Sequence, residues 1–162
     1  APSQVGGNFF CSNTKISSLE GAPSQVGGDF SCHNTNITSL EGAPSQVGGW
    51  FNCADTDITS LEGAPSQVGS NFISYKTNIT SLHNIHKQIK HIGNKFYLSK
   101  TTNSNVIGVM FIRGLKSIEF HQRSEEQKQV ENIINRHLKR DRNIHDCQEE
   151  LIEAGLSEYA KI

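Results

Sequence analysis

Four cysteines and seven histidines are the residues of this 162-residue chain that are best suited to metal or nucleophilic chemistry. Cys11, Cys32 and Cys53 recur at intervals of 21 residues, so a stack of parallel strands would place them in one row. A zinc site instead needs ligands that converge tetrahedrally, usually from paired Cys-x-x-Cys segments. We therefore expect this row to fill the apolar core, as we also expect for Cys147 on a predicted helix, because small thiols pack as apolar groups.

The histidines give no stronger indication of a catalytic site. His83, His86 and His91 lie in one segment, but no carboxylate nearby completes a two-His, one-carboxylate metal site. The segment His145–Cys147 reads His-Asp-Cys, yet consecutive residues of a helix point in different directions and cannot form a triad. Phosphate-loop, dinucleotide-binding and His-Glu-x-x-His patterns do not occur. We predict that the protein is not an enzyme, with no catalytic residues, no metal site and no cofactor.

A 21-residue repeat sets the elements that must position any functional residue. Three blocks begin with the identical segment APSQVGG and a fourth begins with APSQVGS. Self-similarity at a fixed period of about 20–29 residues is typical of a solenoid. We expect four regular repeats over residues 1–84, degraded repeats over 85–120 and a helical C-terminal cap over 121–162.

The columns of the repeat predict how each coil folds. Phe-x-Cys alternates fixed apolar and variable residues, which indicates a short β-strand with Phe and Cys facing inward. Pro and Gly-Gly disfavour a helix on the return side and leave an extended or 3₁₀ segment there. A further column consists of Thr14, Thr35, Thr56 and Thr77. We expect this threonine column to hydrogen-bond the turn backbone of neighbouring coils. The predicted fold class is thus a repeat solenoid with a parallel β-sheet and a helical cap.

Two degraded coils follow the regular ones. Residues 92–98 reproduce the Val-to-Cys part of the repeat and predict a fifth strand, preceded by a helical turn within 83–89. Residues 109–112, Val-Met-Phe-Ile, predict a sixth strand, with Leu115 and Ile118 as degraded partners of the Ile and Leu columns.

Capping signals predict two helices in the C-terminal cap. Ser124 and Gln127 form a capping-box pattern ahead of an amphipathic stripe of Val130, Ile133, Ile134 and His137/Leu138. A second helix that begins at Asp141 or Asn143 would carry Cys147, Leu151 and Ile152 and stop near Gly155. A solenoid needs such an atypical unit to cover its last apolar coil.

The spacing Phe-x-Cys-x-x-Thr-x-Ile-x-x-Leu resembles the leucine-rich repeat, above all the short repeats of bacterial effector proteins. Phe for the strand Leu, Thr for Asn and Gly-Ala-Pro for Leu-Pro are departures from that pattern. With its near-identical coils and a tail that reads CQEELIEAGLSEYAKI, the chain also resembles repeat proteins encoded by large bacteriophages. These resemblances imply a leucine-rich-repeat fold, a bacteriophage setting and a role in the cytoplasm of the host cell.

Charge and hydropathy limit the classes of partner. The net charge is −1, with 2 Lys and 6 acidic residues in 1–84 and the positive excess in 85–162. A near-neutral chain is a poor candidate for an electrostatically driven nucleic-acid binder, and the basic run Arg136–Arg142 is short enough to be a solvated helix end. The longest apolar stretch, Val106–Ile112, is well below the roughly 20 residues that a bilayer span needs. We expect no membrane or nucleic-acid partner.

The variable outward positions of the strands are the candidate binding site. They combine aromatic residues with polar neighbours, a composition typical of protein-recognition surfaces. We predict a non-enzymatic module that binds a protein partner through this face. The resemblance to bacteriophage repeat proteins implies that this partner is a host protein, such as a defence factor or an enzyme to be inhibited. The alternative is a structural protein that self-associates through an open N-terminal edge, which another coil or another chain is expected to cover. The predicted binding residues are Phe10, Asp29, His33, Trp50, Asn52, Asp55, Ile73 and Tyr75.

Overall fold

A computed structural model describes residues 3–162 and shows a β-solenoid built from two parallel sheets, followed by helices. Each regular coil contributes a Gln-Val strand and a second strand that starts at the phenylalanine column. The strands are β1 (Gln4–Val5), β2 (Phe9–Phe10), β3 (Gln25–Val26), β4 (Phe30–Ser31), β5 (Gln46–Val47), β6 (Phe51–Asn52), β7 (Gln67–Val68), β8 (Phe72–Ile73), β9 (His91–Ile92), β10 (Lys95–Leu98) and β11 (Ser117–Phe120). The helices are α1 (Ile85–Gln88), α2 (Glu125–Lys139) and α3 (Ile144–Glu153), with a 3₁₀-helix at Val106–Phe111.

The register of the strands confirms the 21-residue period as the repeat of the stack. The larger sheet has the order β11-β10-β8-β6-β4-β2, and like residues lie opposite each other, as in Phe9↔Phe30 and Phe30↔Phe51. The return segment is extended, as predicted, and forms the second sheet in the order β1-β3-β5-β7-β9. The predicted fold class, a repeat solenoid of parallel strands with 21-residue coils and C-terminal helices, is therefore confirmed.

Stacked phenylalanines form the centre of the core. The ring centroids of Phe30 and Phe51 are 5.3 Å apart and their ring planes are nearly parallel. The row continues through Phe72 to Phe96 with centroid distances of 5.0 Å and 4.9 Å, and these rings are tilted by 44° and 45°. The Ile, Leu and Val columns of the inner coils are buried beside these rings. Each coil thus completes its core with its neighbours, which is how short repeats form a stable solenoid.

The Val-Gly-Gly segment allows the backbones of adjacent coils to approach each other closely. A Cβ atom at Gly27, Gly48 or Gly69 would overlap the carbonyl oxygen of the glycine one coil earlier. Any side chain there would force adjacent coils apart, which explains why the repeat keeps glycine at this position.

The predicted sixth strand at 109–112 is wrong. Residues 106–111 form the 3₁₀-helix, which Asn105 precedes in a left-handed conformation with φ 57°. A short apolar run does not distinguish a strand from a buried helical turn, and Val106–Met110 are buried on all sides. The strand that completes the sheet is β11, in which Ile118 takes the phenylalanine position opposite Phe96 rather than an Ile or Leu position.

The threonine column also differs from its prediction. Each threonine hydroxyl donates to a carbonyl of its own coil, three residues earlier, as in Thr35 to Cys32 at 2.8 Å and Thr56 to Cys53 at 2.7 Å. The hydroxyl is too close to its own turn to reach the next coil, so the column closes turns instead of linking coils.

Side chains of α2 cover the free edge of β11. The predicted capping box is present, because Ser124 Oγ accepts from the Gln127 N–H and Gln127 Oε1 accepts from the Ser124 N–H. Asn135 accepts from the Ile118 N–H at 2.7 Å and donates to the Ile118 carbonyl at 3.0 Å. Glu131 accepts from the Phe120 N–H. These two side chains therefore supply the hydrogen bonds that a further strand would have made.

The second cap helix, α3, begins after Asn143, which is one of the two predicted start positions. Asn143 is its N-cap and accepts from the His145 and Asp146 N–H groups. Cys147 and Leu151 are buried as predicted, but Ile152 is 53% exposed and does not belong to the buried stripe. Glu150 binds Arg136 and His137 at 2.7 Å each, and these two contacts lower the pKa of its carboxyl. The domain limits at residues 84 and 120 stay predictions.

Candidate protein-binding face

The strand face is the outward side of the larger sheet, formed by the residues that alternate with the buried Phe and Cys columns. Of the predicted binding residues, Phe10 is 57% exposed and Asp55 is also exposed. The other six are half-buried: Asp29, His33, Trp50, Asn52, Ile73 and Tyr75. The outward positions Ser31 and Ala54 are buried instead of exposed.

Phe10 and Trp50 form the first aromatic pair of this face. They lie two coils apart, yet their ring centroids are 5.7 Å apart with an interplanar angle of 10°. Ser31, which pairs with Phe10 in the strand register and is 2% exposed, lies in the coil between them. The small serine leaves room for the two rings to meet above it, which explains its burial.

Tyr75 and His121 form a second pair with the same construction. Their ring centroids are 4.8 Å apart, and the strand register places Ser99, which is 2% exposed, in the intervening coil. Sequence reasoning missed His121 because it assigned the last strand to 109–112. Once β10 and β11 are in register, the face also gains Tyr97, with Lys95 Nζ at 6.0 Å from its ring.

Several polar residues of the face have a structural role. Asp29 Oδ1 accepts from the Trp50 N–H at 2.9 Å, just as Asn8 Oδ1 accepts from the Asp29 N–H at 2.8 Å. Asp55 is in a left-handed turn with φ 54° and lies 3.4 Å from Lys76 Nζ. These carboxylates hold coils and turns in register, so aromatic residues remain the main binding candidates.

A chain of hydrogen bonds lies below the first aromatic pair. Ser12 Oγ donates to Ser31 Oγ at 2.6 Å, and Ser31 Oγ is 2.9 Å from His33 Nδ1. The rings of Phe10 and Trp50 cover Ser31, so this chain positions His33 at the rim of the pair.

The cysteine row lies in the core as predicted. Cys32 and Cys53 are fully buried, Cys11 is half-buried at the end of the row, and all three are free thiols. Burial raises the pKa of each of these thiols. Within residues 3–162, no three His, Cys, Asp or Glu side chains are grouped so that they could hold a metal ion.

Comparisons with known proteins do not indicate a function for the chain, so the candidate site depends on the geometry described above. No family model, no curated protein and no solved structure matches the chain. Across residues 3–162, no helix combines the length and apolar character needed to pass through a bilayer.

Proposed function

We propose that the chain is a non-enzymatic binding module of leucine-rich-repeat type that presents its strand face to a protein partner. The observation that carries this proposal is the two aromatic pairs, Phe10–Trp50 and Tyr75–His121, on the strand face. Trp and Tyr are enriched among the few residues that dominate binding energy at protein interfaces. Because each pair is held by stacking in the free protein, its side chains lose little conformational freedom on binding.

The setting of this function follows from the resemblance to bacteriophage repeat proteins. In that setting the partner is a host protein, such as a defence factor or an enzyme to be inhibited, and the module acts in the host cytoplasm. A repeat fold hosts many functions, so the partner has to be identified by experiment.

Affinity capture from a bacterial lysate identifies the partner, and binding to the purified partner then tests the face. We expect Trp50→Ala combined with Tyr75→Glu to weaken this binding about 100-fold or more, since each hot-spot residue contributes about 2 kcal/mol. Phe111→Ala is the matched control, because Phe111 is 45% exposed but lies outside the strand face. Circular dichroism of each variant checks the fold. Equal affinity of the double variant and the wild type would dispose of the strand-face proposal.

A structural, self-associating protein is the second candidate. Strands β1 and β2 end their sheets within the described residues, and Val5, Phe9, Cys11 and Ile16 are only half-buried where their equivalents in coil 2 are buried. Strand pairing through this edge would give an association whose mass rises with protein concentration. Light scattering over a concentration series separates this candidate from a monomeric binder.

A further inference from the structure

The ring of His86 lies in the contact between α1 and the 3₁₀-helix. His86 belongs to α1, which packs against the 3₁₀-helix. Its ring centroid is 4.9 Å from that of Phe111, with an interplanar angle of 46°. A Cβ atom at Gly108 would lie 4.0 Å from His86 Nδ1, so this nitrogen faces the backbone of the 3₁₀-helix. The ring therefore forms part of the surface that joins the two elements.

Nδ1 of His86 is a buried polar atom in this contact. Solvent does not reach it, and within residues 3–162 no group is placed to form a hydrogen bond with it. A neutral imidazole can keep one nitrogen free of a proton, whereas the imidazolium carries an N–H on both nitrogens. Protonation would thus place a charged donor where the protein offers no acceptor, and such burial is far more costly than burial of a neutral nitrogen. The packing therefore selects the neutral ring.

The charged groups around His86 oppose a positive ring as well. Burial lowers the pKa of His86, and the cations Lys87 and Lys90 and the neighbouring His83 lower it further. Lys90 Nζ donates to the His86 carbonyl at 2.9 Å, and the Arg113 N–H donates to the Lys90 carbonyl at 3.0 Å. The 3₁₀-helix, which reads Val-Ile-Gly-Val-Met-Phe, has no titratable side chain. The ring is thus surrounded by apolar and cationic groups.

The carboxylates of neighbouring elements are engaged elsewhere. Glu62 lines a groove with Lys87, and His86 does not line that groove. The C-terminal segment hydrogen-bonds the 3₁₀-helix, but its Glu158 binds Lys161 at 2.7 Å. Neither carboxylate compensates a charge on His86.

We propose that His86 is a pH-sensitive contact, which holds α1 against the 3₁₀-helix when its ring is neutral and releases it when the ring is protonated. The open form leaves the ring in water, where it binds a proton at the ordinary histidine pKa of about 6.5. The packed form binds this proton only at lower pH. The open form therefore binds more protons below about pH 6.5 and is favoured as the pH falls, whereas the contact is fully stable above that value. Because the 3₁₀-helix also contacts α2 and α3, release acts on the junction between the coils and the cap.

Hydrogen exchange of the full chain at about pH 7.5 and about pH 5 tests the contact. The Ile89 N–H closes the last turn of α1 and the Ile112 N–H closes that of the 3₁₀-helix, so these two reporter amides monitor both elements. After correction for the intrinsic pH dependence of exchange, we expect their protection to fall towards pH 5, by at most about 30-fold for a histidine of ordinary pKa. The Phe30 N–H of β4 should keep its protection and is the internal reference.

Substitution of His86 separates this contact from other titrating groups. His86→Phe keeps a ring against Phe111 but cannot be protonated, so protection at the reporter amides should no longer depend on pH. The matched control is His83→Phe, which makes the same change at an exposed histidine of the same segment and should keep the wild-type pH dependence. Lys87→Glu replaces a neighbouring cation by an anion and should move the midpoint of the pH dependence to higher pH.

An NMR titration of the His86 ring in the wild type is a measurement that depends on no variant. We expect its midpoint to lie below about 6.5. The proposal is overturned if this midpoint lies at or above that value, or if protection falls equally in the wild type and in His86→Phe. An unchanged midpoint in Lys87→Glu would also overturn it.

Discussion

At the scale of single residues, the cysteines show how burial decides chemistry. Cys53 lies wholly within the core, and its burial, followed by the neighbouring Cys32, raises its pKa far above the usual range. Burial also raises the pKa of Cys147 to about 12. Since the thiolate is the reactive species, these side chains act as apolar packing groups and not as nucleophiles.

Thiol labelling tests this assignment. At about pH 8, where an exposed thiol is partly ionised, we expect a thiol reagent to label only Cys11 at a measurable rate in the native protein. Cys32, Cys53 and Cys147 should react only after denaturation, which serves as the control for full reactivity. Rapid native labelling of Cys32 or Cys53, located by mass spectrometry, would contradict the buried row.

At the scale of elements, the covered edge of β11 is the point where the solenoid avoids strand addition. Asn135 donates to and accepts from the backbone of Ile118, as a residue of a neighbouring strand would. Glu131 adds one further acceptor at Phe120 and is itself held by Arg123 at 3.2 Å. Helix α2 therefore caps the sheet with side-chain hydrogen bonds as well as with its apolar stripe.

Removal of the Asn135 amide tests the role of this cap. Asn135→Ala leaves the Ile118 N–H and carbonyl without partners, so we expect a loss of about 1–3 kcal/mol in the free energy of unfolding. The uncovered edge should also increase aggregation with protein concentration. Asn132→Ala is the matched control, because Asn132 is exposed on the same helix. Equal denaturant midpoints for the two variants would show that the Asn135 hydrogen bonds do not stabilise the cap.

The sequence allowed the regular coils to be predicted more completely than the elements that follow them. Each column is repeated in four coils under the same physical constraint. The sequence therefore predicts both the inward Phe side chain and the extended return segment. The 3₁₀-helix at 106–111 is a single apolar run with no second copy, so its periodicity could not distinguish strand from helix. For the same reason the pairing of Tyr75 with His121 could not be predicted, since it depends on the register of β11.

At the scale of the whole molecule, the repeat explains how a chain with 35% apolar residues forms a continuous core. Each coil is too small to bury its own side chains, and the interfaces between coils supply the missing burial. Stability is then a sum of coil and interface contributions, and each regular coil is close to interchangeable with its neighbours.

Deletion of one whole coil tests this additivity. Removal of residues 22–42 joins Gly21 to Ala43 and leaves every column in register, so we expect a protein with the same circular-dichroism spectrum and a single unfolding transition at lower temperature. The lower stability reflects the loss of one coil and one interface. The deletion also removes Ser31, so the Phe10–Trp50 stack that spans it should be lost and Trp50 fluorescence should change.

Removal of residues 22–32 is the matched control. It takes away the Val and Phe positions of coil 2 but keeps Ile37 and Leu40, and it should abolish the cooperative transition. Similar unfolding curves for the two deletions would contradict a stack held together by matching columns.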